Sequence, residues 1–265
     1  AGINADFFDG NGTPTGILIS DGEVLSSDGG NNAVGFTADG SAIIGTPSLS
    51  LRGIYNGEGS AYIAALNKAR NSHGGIYAYT YDFNAKHTTG TTEAGVDVIL
   101  EELWSEEFED YSDEVLEEQG VAPVPTIGKT AYYRVVEVVE TEKGEATSIQ
   151  PGQLVLSANL NAAEEELSYL RGMEPGGVFG LSITASSEEW NDVVEAVGGL
   201  YMLVKDGVAQ SNFEATNAPR TAVGIKANGD VVFYTVDGRK TGHSIGSSLG
   251  TLAQRLVGLG CVAAI

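Results

Sequence analysis

A basic and an acidic side chain stand close together in the last third of the sequence. Arg220 follows Pro219 and precedes an apolar run. Asp237 comes directly after the next apolar run and is followed by Gly238. A guanidinium can hold two phosphate oxygens at once. The pattern predicts an open polar pocket for an anionic ligand. The competing interpretations are a structural arginine bonded to loop carbonyls or to Asp237, and a plain Asp-Gly turn.

A second pair of polar residues lies near the start of the chain. Asn4 and Asp6 are two positions apart, so in an extended segment both side chains face the same side. Phe7 and Phe8 predict a core anchor for this segment. Buried Asn4 or Asp6 would then need hydrogen-bond partners or a ligand, and a site role competes with that of a satisfied core pair.

Several common catalytic signatures are absent from the sequence. No Cys/His cluster has zinc spacing, no Gly-rich loop precedes a Lys-Ser/Thr pair, and Gly-x-Ser-x-Gly does not occur. These absences exclude metalloprotease, nucleotide-hydrolase and common serine-hydrolase interpretations. No cofactor is expected, and metal dependence is left open.

The charge balance restricts the partners. The net charge of -22 repels nucleic-acid phosphates and anionic membrane surfaces, so we expect neither nucleic-acid binding nor membrane insertion. No apolar run approaches the length of a membrane span. An anionic substrate would have to meet a local basic site. The single cysteine, Cys261, has apolar neighbours and is expected in the core.

Much of the excess negative charge lies in one segment. Ten acidic residues occur between Glu101 and Glu118 without a Lys or Arg, and two prolines follow, Pro123 and Pro125. Such a run is usually a solvated face or a mobile insert, less often a calcium or partner site. Residues 101–126 are therefore the candidate insertion in a single domain that covers 1–265.

Strand patterns outnumber helix patterns. The 36 glycines against 7 prolines favour a turn-rich chain, and apolar runs flank Asn228-Gly229, a strong hairpin signal. Ser248 or Ser247 is expected to cap a final helix, and Ser187 a short helix that ends at Gly198-Gly199. Strands and helices do not alternate regularly. This predicts an α+β fold with mixed, strand-rich sheets flanked by a few helices.

Several patches, taken in order, resemble the phosphodiester glycosidase family, the bacterial relatives of the enzyme that uncovers mannose 6-phosphate. The patches are Gly2-Ile3-Asn4-Ala5-Asp6-Phe7-Phe8, Pro14-Thr15-Gly16, Leu66-Asn67-Lys68-Ala69-Arg70, the stretch from Gly198 to Gly207, Asn217 to Ile225, and Asp237-Gly238-Arg239 to Gly246. Leu200 and Tyr201 stand where family members often have a third Gly and a Pro.

The resemblance implies hydrolysis of a sugar-1-phosphodiester, with release of the sugar, such as N-acetylglucosamine, and a phosphomonoester. It implies Arg220 as the phosphate ligand, and Asp6 and Asp237 as acid, base or stabilising carboxylates. The expected substrate contacts are Asn4, Gly199, Arg239, His243 and Ser244. It also implies a secreted or cell-surface protein.

Two other functions compete with hydrolysis. One is a non-catalytic module that binds cell-wall or capsular glycans in the same pocket, and the other is a purely structural domain. Family members continue after the position of Ile265 into Asp-Gly-Gly-Gly-Ser, so the chain is expected to be a fragment truncated at both ends. The oligomeric state is left open.

Overall fold

The computed structural model describes residues 3–10, 12–70, 73–104, 108 and 111–265, and the side chain of Asp113 lies outside this description. Its first sheet is built from two hairpins and one later strand. The strands are β1 (Leu18–Ser20), β2 (Glu23–Ser26), β3 (Asn32–Thr37), β4 (Ala42–Gly45) and β12 (Val193–Gly199). Their order is β2-β1-β12-β3-β4, so β12 lies in the middle and pairs antiparallel with β1 and β3.

Between β4 and β12 the chain forms a closed seven-stranded barrel. Its strands are β5 (Leu49–Tyr55), β6 (Glu58–Leu66), β7 (Ile76–Thr80), β8 (Gly95–Glu102), β9 (Thr130–Thr141), β10 (Gln153–Asn159) and β11 (Val178–Ala185). The barrel order is β10-β7-β6-β5-β11-β9-β8. The strands β6 and β7 are parallel, and the other barrel pairs are antiparallel.

A third sheet follows β12, and the last α-helix packs against it. Its strands are β13 (Val204–Lys205), β14 (Val208–Ala209), β15 (Arg220–Lys226), β16 (Val231–Val236) and β17 (Cys261–Ala264). The α-helices are α1 (Asp113–Gln119), α2 (Glu164–Arg171) and α3 (Leu249–Gly258). Leu252, Ala253 and Leu256 of α3 form a separate hydrophobic cluster with this sheet, and buried Cys261 belongs to it as expected.

These elements confirm a strand-rich fold with few helices and, because of the parallel pair, a mixed barrel sheet. The α+β class fits only loosely, since two open sheets and a closed barrel dominate. The helix expected after Ser187 is wrong. A 3-10 turn at Glu188–Trp190 leads directly into β12, because the valines of this segment pack between two neighbouring strands.

The main hydrophobic cluster joins the barrel to the first sheet. It includes Ile19 and Ala196 of the first sheet together with barrel residues such as Leu100 and Phe179. The predicted core anchor at the start of the chain is wrong: Phe7 is 61% exposed and Phe8 is 73% exposed. Both phenylalanines lie at the surface, since the strand pairing of the described part of their segment, residues 3–10, is a single isolated bridge between Phe8 and Pro14.

The acidic segment is tied to the barrel at several points. Glu101 and Glu102 belong to β8, and α1 occupies the middle of the segment. Leu103, Leu116 and Val121 are buried, although the acidic side chains described in α1 are exposed. The expectation of an insertion at 101–126 stays a prediction, and a boundary inside β8 would cut a barrel strand. Five acidic-segment residues, 105–107, 109 and 110, lie outside the described residues.

A buried polar cluster lies on the barrel face opposite the main core. Asp97, Ser157 and Tyr77 stand side by side on β8, β10 and β7. Arg70 donates to the carbonyl of Ser157 at 2.5 Å, and its guanidinium lies over the Tyr77 ring at 5.0 Å. This contact anchors the loop at residues 67–70 against the barrel. Among the described residues, no helix is long and apolar enough to cross a bilayer.

Candidate functional site

A cavity of about 410 Å³ opens where the first segment of the chain meets the ends of β12 and β15. We call it the central cavity. Four of the predicted site residues line it, namely Asn4, Asp6, Gly199 and Arg220. They come from opposite ends of the sequence, and the fold brings them to one place because Val197 of β12, Val223 of β15 and Ile265 belong to one hydrophobic cluster.

Backbone and hydroxyl donors orient the Asp6 carboxylate. Its Oδ2 accepts from the Gly16 amide at 2.6 Å, and its Oδ1 accepts from the Phe7 amide at 2.7 Å and from the Thr15 hydroxyl at 3.2 Å. Three donors hold the group in one direction without neutralising its charge. An ionised carboxylate fixed in this way can stabilise positive charge or accept a proton.

Lys68 contacts the turn at residues 14–16, which supplies two of these donors, the Thr15 hydroxyl and the Gly16 amide. The Nζ of Lys68 donates to the carbonyls of Pro14 at 2.8 Å, Thr15 at 3.2 Å and Gly16 at 2.6 Å. Burial lowers the pKa of Lys68 to about 8, and the charges of Asp6 and Asp28 act in the opposite direction. The sequence had placed Lys68 in a family-like patch without a role.

Arg220 both bonds to loop carbonyls and lines the central cavity. Its Nε donates to the carbonyl of Ser247 at 3.1 Å, and its Nη2 donates to the carbonyl of Thr216 at 2.9 Å. A guanidinium carries five N–H groups, so these two bonds leave others for a ligand. The structural interpretation of Arg220 is therefore correct in part, and its two bonds fix the guanidinium at the cavity wall.

Asn4 is fixed across the cavity. Its Oδ1 accepts a hydrogen bond from the hydroxyl of Thr221, which follows Arg220 on β15. This contact ties the first segment of the chain to the third sheet. The Asn4 amide nitrogen lies on the same exposed side chain and can donate to a ligand hydroxyl.

Two glycines leave room for the Asp6 carboxylate, and a third lies beside Ile265. A Cβ on Gly198 would lie 2.5 Å from Asp6 Oδ2, and one on Gly16 would lie 2.8 Å from the same atom. A Cβ on Gly199 would instead meet the side chain of Ile265 at 2.8 Å. The close approach of the backbones of Gly16 and Gly198 therefore brings β12 against the turn that holds Asp6.

The structure places Asp237 outside the central cavity. Arg220 pairs with Val236, so Arg220 and Asp237 stand at neighbouring strand ends. Asp237 instead lines a second depression of about 380 Å³ with Ser244, and its Oδ2 lies 3.1 Å from His243 Nε2. The Ser244 hydroxyl donates to the Asp237 carbonyl at 2.5 Å. Arg239 is exposed and lines neither space.

The predicted residues therefore do not share one space. The central cavity holds an oriented carboxylate and a guanidinium, and Asp237 and Ser244 line the depression. Exposed His243, which lies beside Asp237, lines neither space. Ser247 lines the depression and accepts from Arg220, so Arg220 links the two. Among the residues that the structure describes, no group of three or more His, Cys, Asp or Glu side chains could hold a metal ion.

A sequence model of the phosphodiester glycosidase family matches residues 130–265, just over half of the chain. The chain belongs to this family. The matched part runs from β9 to the last residue and contains Gly199, Arg220 and Asp237. Asn4, Asp6 and Lys68 lie outside it. No curated protein matches the sequence.

Two solved structures share the fold of this phosphodiester glycosidase family member. A hypothetical protein from Synechocystis superposes with a TM-score of 0.69 at 18% identity, over 99% of this chain and 44% of the other. A protein of Burkholderia pseudomallei K96243, whose name describes it as exported, superposes with a TM-score of 0.67 at 15% identity, over 99% of this chain and 58% of the other. The chain thus spans about half of the length of these two proteins.

Sequence reasoning missed two features of this candidate site. The first is the contact of Lys68 with the turn at residues 14–16, for which the only signal was a lysine inside a family-like patch. The second is the apolar and aromatic character of the cavity rim. Phe7, Tyr201 and Phe233 line the cavity and are exposed, with Phe233 57% exposed. No spacing rule joins these three residues along the sequence.

Proposed function

We propose that the chain hydrolyses a sugar-1-phosphodiester, releasing the sugar and leaving a phosphomonoester. The observation that carries the proposal is that an oriented carboxylate, Asp6, and a partly free guanidinium, Arg220, line one cavity in a member of the phosphodiester glycosidase family. Neither Asp6 nor Arg220 alone distinguishes hydrolysis from binding. Their position in one cavity favours hydrolysis.

Hydrolysis of a sugar-1-phosphodiester needs few protein side chains. Water attacks the anomeric carbon, the bond from this carbon to the phosphate oxygen breaks, and the phosphomonoester leaves with the bonding electrons. Arg220 binds the phosphate and stabilises its growing charge. Asp6 stabilises the oxocarbenium-like carbon or accepts the proton of the attacking water.

The remaining residues have supporting roles in this proposal. Asn4 and the backbone at Gly199 contact the sugar hydroxyls. Asp237 and His243, with Ser244 and Arg239 nearby, bind the outer part of the substrate at the depression. Asp237 would act as a catalytic carboxylate only if the substrate reached from the central cavity to the depression. N-acetylglucosamine is the sugar that the family resemblance favours, and the family and the exported structural neighbour favour a secreted or surface location.

The test compares Arg220→Lys with Arg52→Lys on N-acetylglucosamine-1-phosphodiesters. The chain is assayed as 265 residues and in any longer form that its gene encodes. Lysine keeps the charge of Arg220 but loses the two-pronged contact, so hydrolysis should fall by about 10²-fold. It also loses hydrogen bonds to Ser247 and Thr216, so the free energy of unfolding should fall by about 1 kcal/mol.

Arg52 is an exposed arginine on the barrel, and its replacement by lysine should change neither quantity. Full activity of the Arg220→Lys variant would show that Arg220 does not hold the phosphate. The exposed aromatic rim favours one alternative, a glycan-binding module, because sugars stack on aromatic rings. Glycan binding without hydrolysis in every form assayed would establish that alternative.

A further inference from the structure

The ammonium group of Lys68 is saturated by the backbone. A charged lysine carries three N–H donors, and Nζ of Lys68 has three carbonyl partners, those of Pro14, Thr15 and Gly16. A neutral amine has two N–H groups and a lone pair, so one of these carbonyls would lose its donor. The charged form of Lys68 is therefore the one that fits the turn at residues 14–16.

The same turn packs closely against the backbone at Gly29 and Gly198. A Cβ on Gly29 would lie 2.0 Å from the Thr15 carbonyl oxygen, and a Cβ on Gly16 would lie 2.9 Å from the Cα of Gly198. The backbone of the turn can therefore adopt few positions. Lys68 donates to the carbonyls of the turn, and the Gly16 amide and the Thr15 hydroxyl donate to Asp6.

We propose that Lys68 is a positioning residue that acts on Asp6 through the turn at residues 14–16. This inference rests on the proposed function for its effect on catalysis. Lys68 does not line the central cavity, so it contacts neither the substrate nor the reacting atoms. Its ammonium holds the turn so that the Gly16 amide and the Thr15 hydroxyl keep the carboxylate directed into the cavity.

The proposal includes a dependence on pH. Asp6 and Asp28 are the charged groups that act on Lys68, and burial outweighs them, which lowers the pKa of Lys68 to about 8 from 10.5. The turn should therefore loosen as the pH rises through about 8. Between about pH 8 and pH 10.5 the native state binds fewer protons at Lys68 than the unfolded state does. The contribution of Lys68 to the free energy of unfolding therefore increases as the pH rises through this range. An alkaline loss of activity is thus separable from unfolding.

The first measurement needs no enzymatic activity. The Gly16 amide resonance is followed by NMR between pH 6 and 10 in the native protein and in the Lys68→Met and Lys205→Met variants. The Gly16 amide donates to a carboxylate at 2.6 Å, so its proton shift reports the position of Asp6. In the native protein and in Lys205→Met, an exposed-lysine control, the resonance should move with a midpoint near pH 8. In Lys68→Met it should be displaced at pH 6 and show no such transition.

The second measurement is kcat against pH for the same proteins. Lys68→Met should lower kcat at pH 7 by about 10²-fold, the usual contribution of a positioned acid or base, while KM changes less than about threefold because Arg220 still binds the phosphate. The native alkaline limb near pH 8 should be absent from the variant. If the native protein is inactive but the Gly16 resonance still responds to Lys68, the proposed function fails and the positioning role stands.

Two outcomes would overturn the proposal. One is a native Gly16 resonance without a transition between pH 7 and 9, which would refute the dependence on pH and requires no variant, so it can be measured even if Lys68→Met does not fold. The other is a folded Lys68→Met protein whose Gly16 resonance and kcat profile match those of Lys205→Met. A kcat profile that changes while the Gly16 resonance does not would also count against it.

Discussion

Gly198 is the position where a single methyl group should disturb the candidate site most. In Gly198→Ala the new Cβ would lie 2.5 Å from Asp6 Oδ2 and 2.9 Å from both Asp6 Cγ and the Cα of Gly16. Ordinary contacts between nonbonded atoms lie near 3.5 Å, so the carboxylate must move by roughly 1 Å. A shift of this size breaks the bond of 2.6 Å from the Gly16 amide.

The expected cost combines overpacking, about 1–3 kcal/mol, with the loss of a hydrogen bond to a charged group. We expect Gly198→Ala to lower the free energy of unfolding by about 2–4 kcal/mol and to lower hydrolysis, since Asp6 leaves its position. Backbone strain does not contribute, because the backbone φ of Gly198 is not positive.

Urea unfolding measures this effect, with Gly250→Ala as the matched control. Gly250 lies in α3, and nothing lies within 4 Å of its ideal Cβ. Alanine there should stabilise the protein by about 0.5–1 kcal/mol because glycine is a poor helix former. Opposite signs for the same chemical change would support the reasoning. A Gly198→Ala protein as stable as the native one, with unchanged activity, would refute it.

Two further predictions concern the barrel and the acidic segment. Burial raises the pKa of Asp97, with Ser157, Thr147 and Arg70 acting against it, so its charged form costs stability as the pH rises above the ordinary carboxyl range. Asp97→Asn should therefore gain stability relative to the native protein between pH 4 and pH 7, as measured by urea unfolding at both. In the acidic segment, Leu116→Ala should cost about 2–5 kcal/mol because Leu116 is buried, whereas Glu114→Gln on the same helix should change the melting temperature little.

Local signals predicted several elements of this fold. The hairpin around Asn228-Gly229 forms as β15 and β16, with Gly229 at a positive φ of 89°. Ser248 caps α3 by accepting from the Thr251 amide at 3.2 Å. These features depend on neighbours within a few residues. The segment before Gly198 does not, and its valines form a central strand because strands from another part of the chain pair with both edges.

The candidate site shows the same division. Residue chemistry and the family resemblance directed attention to Asn4, Asp6 and Arg220, which line one cavity. Asp237 follows β16 and lines a separate depression, with its carboxylate 3.1 Å from His243 Nε2. The contact of Lys68 with the turn at residues 14–16 depends on how the barrel loop docks on the first segment. Neither the location of Asp237 nor the contact of Lys68 can be predicted from the spacing of residues along the chain.

The central position of β12 has a consequence for how the protein is made. During synthesis β1–β2 and β3–β4 leave the ribosome as two separate hairpins, and the strand that joins them follows only after the whole barrel. Ala185 at the end of the barrel pairs with Leu49 at its beginning, so the barrel can close before β12 exists. Until then both hairpins expose unpaired strand edges, which are sites of aggregation. Since β12 ends in Gly198 and Gly199, the wall of the central cavity is among the last parts of the molecule to form.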